Sequence, residues 1–244
     1  CGGELALRKG VRRICIDDGR ATALELDDDT TVSVGAVLSS AGYPETLALC
    51  GAASVGGDAH PPGELGFVES IFVLDRPAAD FGLEASIEFF CESDRFRYVR
   101  PSDLVDSTSG VICAPRNFQV PNSGDATPHM VRLTHLADYG EWFSLGPDAY
   151  RSRKEGVLER QRHWLESRHS GMAESIVATD MFTPKTIRRY TGHINGTVYG
   201  SPVKCLSGTT SVDGLFVCGT DQGFLGIVGA MLSGVSMANL HLLR

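Results

Sequence analysis

The sequence predicts an α/β (α+β) protein of two layers, and three observations predict it. A meander of short strand-like runs fills residues 11–39. A second set of strand-like runs, punctuated by Pro and Gly, occupies residues 66–136. A short apolar strand, a Gly-rich turn and an uncharged helix follow over residues 214–243. The 244 residues allow one large domain or two small ones. With 42% hydrophobic and 21% charged residues the composition is globular rather than disordered. A net charge of −8 argues against a chain whose main task is gripping nucleic acid, so no nucleic-acid partner is expected. The seven Cys are scattered, with no CxxC and no metal-ligand spacing. That pattern suits a reducing compartment and predicts a cytoplasmic location, no disulfide framework and no metal. The chain opens at Cys1-Gly2-Gly3 without Met or a signal segment, and it reads as a piece of a longer protein.

In the meander, Val11, Ile14 and Ile16 are the apolar positions of a first strand. Asp18-Gly19 between two strand-like runs is a hairpin signal, and Thr22–Leu26 is the second strand. Asp27-Asp28-Asp29 reads as a solvated hairpin tip, because no Gly or later Glu completes a calcium loop. Thr31–Val34 is the third strand. Ala36–Ser39 is short and apolar and runs out into Ser40-Ala41-Gly42, a place where α/β sheets hold ligands. Residues 51–66, rich in Gly, Ala and Pro, read as a loop. Strands are expected at Gly66–Leu74, Ala85–Phe90, Gly110–Ala114 and Met130–Leu136, forming a mostly antiparallel sheet. His135 in the last of these is expected to be a satisfied sheet residue rather than a base.

Residues 147–169 form the clearest helix, with Tyr150, Val157, Leu158, Trp164 and Leu165 near one face. The opposite face mixes Arg and Lys with Glu, which favours a solvated face over a membrane-surface helix. Thr183-Pro184 opens a short helix with Thr as N-cap. From Gly223 to Leu243 no residue is charged if His is neutral. That length is at the threshold for crossing a bilayer. The density of Gly, Ser and Ala, and the strand and turn before it, favour a helix buried against a sheet. A helix N-terminus after a strand and a Gly-rich turn is an anion site, although Asp221 in that turn would repel phosphate and suits sugar or ribityl hydroxyls. No GxGxxG and no GxxxxGK[ST] occurs in the chain.

Several of these residues act together. Thr183-Pro184-x-Thr186, Arg189-Tyr190 and Gly196-Thr197-Val198-Tyr199-Gly200 precede Gly214–Asp221 and Gly226-Ile227-Val228-Gly229-Ala230. The combination resembles the C-terminal end of the FAD-dependent phytoene desaturase, carotenoid isomerase and retinol saturase (all-trans-retinol 13,14-reductase) family. The meander after Gly2-Gly3-Glu4-Leu5 resembles the same family, and residues 60–150 match it only in character. The resemblance implies a split FAD/NAD(P)-binding, Rossmann-like domain, here built from residues 1–50 and 200–244, and a mostly antiparallel substrate domain at 51–199. It implies an FAD-dependent oxidoreductase acting on carbon–carbon bonds of a carotenoid or retinoid, by desaturation, saturation or isomerisation. The family's N-terminal GxGxxG segment is missing from these residues, so the FAD site is expected to be incomplete.

Carried over residue by residue, Val11 would meet the adenine through its backbone. Ala41 and Gly42 would lie along the cofactor, Gly219 and Thr220 would contact it, and Asp221 would face its ribityl or pyrophosphate part. Gly226 would contact the cofactor, and the N–H groups of Ile227 and Val228 would approach the flavin N1–C2=O edge. Tyr199 is the expected substrate-side residue, and no catalytic residue stands out. Peripheral membrane association is a further expectation. Two other classes stay open: a non-catalytic fragment binding an apolar ligand or a subunit without flavin, and a flavin amine oxidase with Tyr190 and Tyr199 in its aromatic cage.

Overall fold

The computed structural model describes residues 2–51, 60–118 and 128–243. Much of the loop read at 51–66 lies outside them. The chain divides into two compact units: Cys1–Glu64 with Thr191–Ile194 and Tyr199–Arg244, and Leu65–Tyr190 with Asn195–Val198. The architecture is mixed α/β with mostly antiparallel pairing.

In the first unit, β1 (Val11–Asp17), β2 (Arg20–Leu26) and β3 (Thr31–Ser33) form an antiparallel meander. The Asp18-Gly19 tip sets Asp17 opposite Arg20, as the hairpin signal predicted. The acidic tip after β2 is held by Lys9–Asp28 and Arg12–Asp29 ion pairs. β4 (Val37–Ser39) pairs in parallel with β10 (Leu215–Val217), Val37 opposite Leu215 and Ser39 opposite Val217. Cys218 N–H extends the pairing to Ser39 O at 2.8 Å. A helix the sequence reading omitted, α1 (Tyr43–Leu49), follows β4. Ile14, Ala21, Cys50, Val212 and Leu215 form the core beneath the meander. The last helix, α5 (Gly226–His241), is anchored by Ser233, whose buried Oγ accepts Gly219 N–H at 2.9 Å. At 16 residues α5 is shorter than the uncharged run that contains it. Among the described residues no helix is long and apolar enough to cross a membrane.

The second unit is built on one five-stranded antiparallel sheet. Its strands are β5 (Gly66–Leu74), β6 (Ile87–Cys91), β7 (Ser109–Cys113), β8 (His129–Ala137) and β9 (Ile176–Phe182), in the order β6-β7-β8-β5-β9. The reading at 85–90 is shifted to 87–91, and β9 was not expected. Along β5 burial alternates strictly, with Val68, Ser70, Phe72 and Leu74 inward, the period of a half-buried strand. After α2 (Tyr139–Ser144), capped by the Asp138 side chain on Glu141 N–H, comes α3 (Pro147–Arg168). Val157, Gln161 and Leu165, four residues apart, are its buried stripe. Leu165 packs in the cluster of Phe72, Val131 and Leu133, and Val157 in that of Val68, Trp142 and Met181. Gln161 lies between them and accepts the Ser70 hydroxyl. His135 is buried, its Nδ1 2.8 Å from Ser109 O, and burial pulls its pKa below the ordinary value, so it is a satisfied sheet residue. α4 (Pro184–Thr191) begins after Thr183, whose Oγ1 accepts Thr186 N–H at 3.5 Å.

Leu165→Ala removes a fully buried side chain from the α3–sheet contact. It should lower the unfolding free energy by about 2–5 kcal/mol in chemical denaturation. Arg153→Ala on the solvated face of the same helix should change it by less than about 0.5 kcal/mol.

Candidate functional site

Several of the residues singled out from sequence, Ala41, Gly42 and Gly219–Asp221, follow the C-terminal ends of the β4–β10 pair. β4 leads through Ser40 and Ala41 to Gly42, and β10 leads through Cys218 to the tight turn Gly219–Asp221. Both strands are parallel, so both chains turn at their C-terminal ends, on the same side. Ala41 is half-buried, and Gly42 and Gly219 are buried. Thr220 is half-buried beside Asp221. Gly226, Ile227 and Val228 form the first turn of α5 and are exposed, Ile227 at 91%. Val11 stands apart from this turn, partly exposed at the start of β1, opposite Leu26. Tyr199 is half-buried, and its carbonyl accepts Lys204 Nζ at 2.7 Å.

Asp221 does not occupy the position expected of it. Its side chain is fully buried and lines no open cleft. Oδ2 accepts Tyr43 N–H at 2.5 Å, Oδ1 accepts Ser201 N–H at 2.8 Å, and Lys204 Nζ lies 3.9 Å from Oδ1. The carboxylate is therefore a clamp between the start of α1, the Tyr199–Ser201 segment and the β10 turn. Its partners lie 178 and 20 residues away in the sequence, so nothing local to the turn pointed to them.

Two glycines make this clamp possible. At Gly200, φ is +65° and a Cβ would stand 1.8 Å from Asp221 Oδ1. At Gly42, φ is +108° and a Cβ would stand 2.2 Å from Glu45 Oε2 and 3.4 Å from Asp221 Oδ2. Only glycine fits either place, on conformational and on steric grounds. The Tyr199-Gly200 and Ala41-Gly42 motifs are thus explained by the carboxylates they surround.

A second acid–base pair adjoins the first, and the sequence reading missed it. Glu45, in the first turn of α1, accepts Ile194 N–H at 2.8 Å and lies 3.3 Å from His193 Nδ1. The hydrogen bond to Glu45 raises the His193 pKa against the opposing effect of burial, and the charge of Asp221 adds to the rise. Burial would raise the Glu45 pKa, but His193 and backbone N–H groups outweigh it and the value falls. Lys204 is lowered by burial, against the pull of Asp221. The available local signal was Gly42-Tyr43-Pro44-Glu45, a helix start with Pro and an acidic residue in the first turn.

The N-terminus of α5 is arranged differently. Leu225 at its N-cap makes no side-chain capping bond, and no acidic residue sits in the first turn. The leading N–H groups lie among exposed apolar side chains: Phe224, Leu225, Ile227 and Val228. Such a terminus carries about half a positive charge and accepts an anion or an electron-rich carbonyl edge.

No protein-family model matches the chain. Over 252 residues it is 23% identical to a prolycopene isomerase of Arabidopsis thaliana, covering 98% of this chain and 41% of that protein. A prolycopene isomerase of Daucus carota is 31% identical over 121 residues, covering 46% of this chain and 20% of that protein. Prolycopene isomerase 1 of an Oncidium hybrid cultivar is 23% identical over 262 residues, covering 98% and 42%. Along 98% of its own length the chain thus shows a distant similarity to prolycopene isomerases, and it spans about two fifths of the length of those relatives. Among solved structures, the PF1083 protein of Pyrococcus furiosus aligns with a TM-score of 0.47 and 12% identity, over 95% of this chain and 46% of that one. BrvH, a flavin-dependent halogenase of Brevundimonas sp. BAL3, aligns with a TM-score of 0.42 and 12% identity, over 98% and 37%. Both likenesses fall below 0.5, and neither bears on fold or function.

Asp221→Ala leaves two buried backbone N–H groups without their acceptor. It should lower the stability of the cofactor-free chain by about 3 kcal/mol or more; unchanged denaturation would show that the clamp carries no weight. The His193–Glu45 pair adds a pH dependence. A raised His193 contributes fully below roughly pH 6.5 and loses that contribution as pH rises through its folded value. A lowered Glu45 contributes above its ordinary carboxylate range and loses it as pH falls through its folded value. Urea midpoints of the wild type should therefore fall from roughly pH 6 to pH 8.5, and His193→Gln should flatten that limb. The same slope in the variant would assign it to another group.

Proposed function

We propose that this chain is the C-terminal part of an FAD-dependent oxidoreductase that acts on carbon–carbon bonds of an apolar polyene. The observation that carries the reading is the uncapped, solvent-facing start of α5 beside the ends of a parallel strand pair. The family resemblance and the similarity to prolycopene isomerases support it. The residues present fit the ring end of a flavin: nothing stands within 4 Å of a Cβ built at Gly226, so the backbone is open to close approach. Gly226, Ile227 and Val228 would hold that end, with Ala41, Gly42, Gly219 and Thr220 alongside. When bound, a flavin supplies the redox chemistry.

The chain's own part is positional and electrostatic. Asp221 fixes the β10 turn, and Ser233 ties that turn to α5. The first N–H groups of α5 favour negative charge by up to about 2 kcal/mol when partly buried. Phe224, Leu225, Met231, Leu232 and Val235 add an apolar surface that suits a hydrocarbon substrate or a covering segment. The pyrophosphate needs a GxGxxG loop. None is present in this chain, so in the proposal a preceding segment of the longer protein supplies it.

FAD titrated into the 244-residue chain, followed by flavin fluorescence, should show weak binding only. The longer protein should be yellow as purified. Tight stoichiometric FAD on the short chain would overturn the divided site, and a colourless longer protein that takes up no FAD would overturn the flavin reading. In the longer protein Ile227→Pro removes one N–H in the first turn of α5, where Pro is tolerated. It should weaken FAD binding severalfold while leaving the α-helical signal intact.

A further inference from the structure

Helix α4 carries Lys185, Arg188 and Arg189 at positions i, i+3 and i+4, so the three stand on one face. Like charges at these spacings repel, although the chain has a net charge of −8 and therefore acids to spare. Arg188 and Arg189, in the last turn, suit the negative end of the helix. Lys185 has no such reason, because it stands in the first turn, where no acidic residue accompanies it. It is held there by α2: its Nζ donates to Leu145 O, the C-cap carbonyl of that helix, at 2.6 Å.

These three cations and Phe143 line an open depression of about 420 Å³ in the second unit, within the size range of small-molecule sites. Every charged group of the lining is thus positive, and Arg188 and Arg189 are exposed to an incoming ligand. The Arg188 guanidinium lies over the Phe143 ring, 5.2 Å from its centroid, and that of Arg189 over the Tyr190 ring at 5.7 Å. A guanidinium stacked through its face keeps its in-plane N–H groups for an acceptor. Among the described residues neither guanidinium has a carboxylate or carbonyl partner. The neighbouring acids are engaged elsewhere or stand outside the lining. Asp138 holds Arg100 through two bonds, and Asp148 holds Arg151. Glu141 on α2 and Asp180 on β9 do not line the depression.

A carboxylate would bring a single charge to three cations. A phosphate monoester brings three terminal oxygens and a charge of roughly −1.5 to −2 at pH 7, and the planar forks of arginine match its edges. We propose that this depression binds the phosphate group of a phosphate monoester, with Lys185, Arg188 and Arg189 donating to its oxygens. The proposal does not depend on the flavin reading.

The test measures phenyl phosphate, benzoate and lipid vesicles against the 244-residue chain at low salt. Phenyl phosphate should bind at one site, more tightly than benzoate, and weaken as salt is raised. Arg188→Gln together with Arg189→Gln should weaken it about tenfold or more, and tenfold corresponds to about 1.4 kcal/mol. Lys185 stays in place in that variant because it also closes α2. Arg151→Gln together with Arg153→Gln removes the same charge from the solvated face of α3 and should change binding by less than about twofold. Circular dichroism checks that each variant is folded. Vesicles of phosphatidylcholine with phosphatidic acid, set against phosphatidylcholine alone, separate the two sources of a phosphate monoester. Co-sedimentation with the acidic vesicles that is lost in the α4 variant assigns a lipid headgroup. Phenyl phosphate binding without such co-sedimentation assigns a soluble ester. No binding of either, benzoate bound as tightly as phenyl phosphate, or equal loss in the two double variants would overturn the proposal.

Discussion

The first unit depends on one buried carboxylate. Moving a charge out of water is costly unless several donors replace the water it loses. Asp221 has two backbone N–H donors and a lysine ammonium nearby, all at fixed places. The donors belong to Tyr43 and Ser201, so satisfying one side chain fixes three segments against each other. The glycine at 200 follows as a requirement, since a Cβ there would occupy the space of an Asp221 oxygen, whereas Gly42 is set by its φ of +108° and by Glu45. The start of α5 follows too, because Ser233 holds it to the turn that contains Asp221. The parallel β4–β10 pair is only three residues long on each side. A ladder that short is weak by itself, and the clamp at its end supplies much of its definition.

The second unit is held in the ordinary way, by a sheet and a helix that share an apolar face. Val157 and Leu165 meet Val68 and Phe72, and the Ser70–Gln161 bond interrupts an otherwise apolar seam. Surface ion pairs such as Arg151–Asp148 add little to such a structure. The bidentate Arg132–Glu69 pair, across neighbouring strands and half-buried, does more to fix their register.

Elements with a local cause were legible in the sequence. Asp18-Gly19 announced its hairpin, Pro147 and the spacing of Val157 and Leu165 announced α3, and Thr183-Pro184 announced α4. Elements whose cause is distant were not. β9 reads IVATDMF, with Asp180 interrupting its apolar pattern. It is a strand because β5 offers it a free edge. α1 is seven residues long and stands on the Asp221 clamp rather than on its own propensity. The same division runs through the candidate site. The positions of Gly42, Gly200, Gly219 and Asp221 were visible as motifs, but the direction in which Asp221 faces was not. Its acceptors' partners, and the His193–Glu45 pair, are joined only by the fold.

That burial also removes a difficulty that the sequence posed. A carboxylate exposed in the turn before α5 would oppose any electron-rich ligand at the helix N-terminus. In the folded unit Asp221 is turned inward, with backbone amides and Lys204 around it. Glu45 beside it is matched by His193, which is drawn toward its charged form. Two acids and two bases thus compensate one another within the unit. The first turn of α5 is built differently: its N-cap is Leu225, which makes no side-chain capping bond, and its first residues are Gly226, Ile227 and Val228, with no acidic residue in the turn. The exposed positive end of the helix is therefore set apart from the buried charges by position and by chemistry. A ligand's electron-rich edge, arriving there among Phe224, Leu225 and Ile227, would meet donors in an apolar setting where each hydrogen bond is worth more than in water.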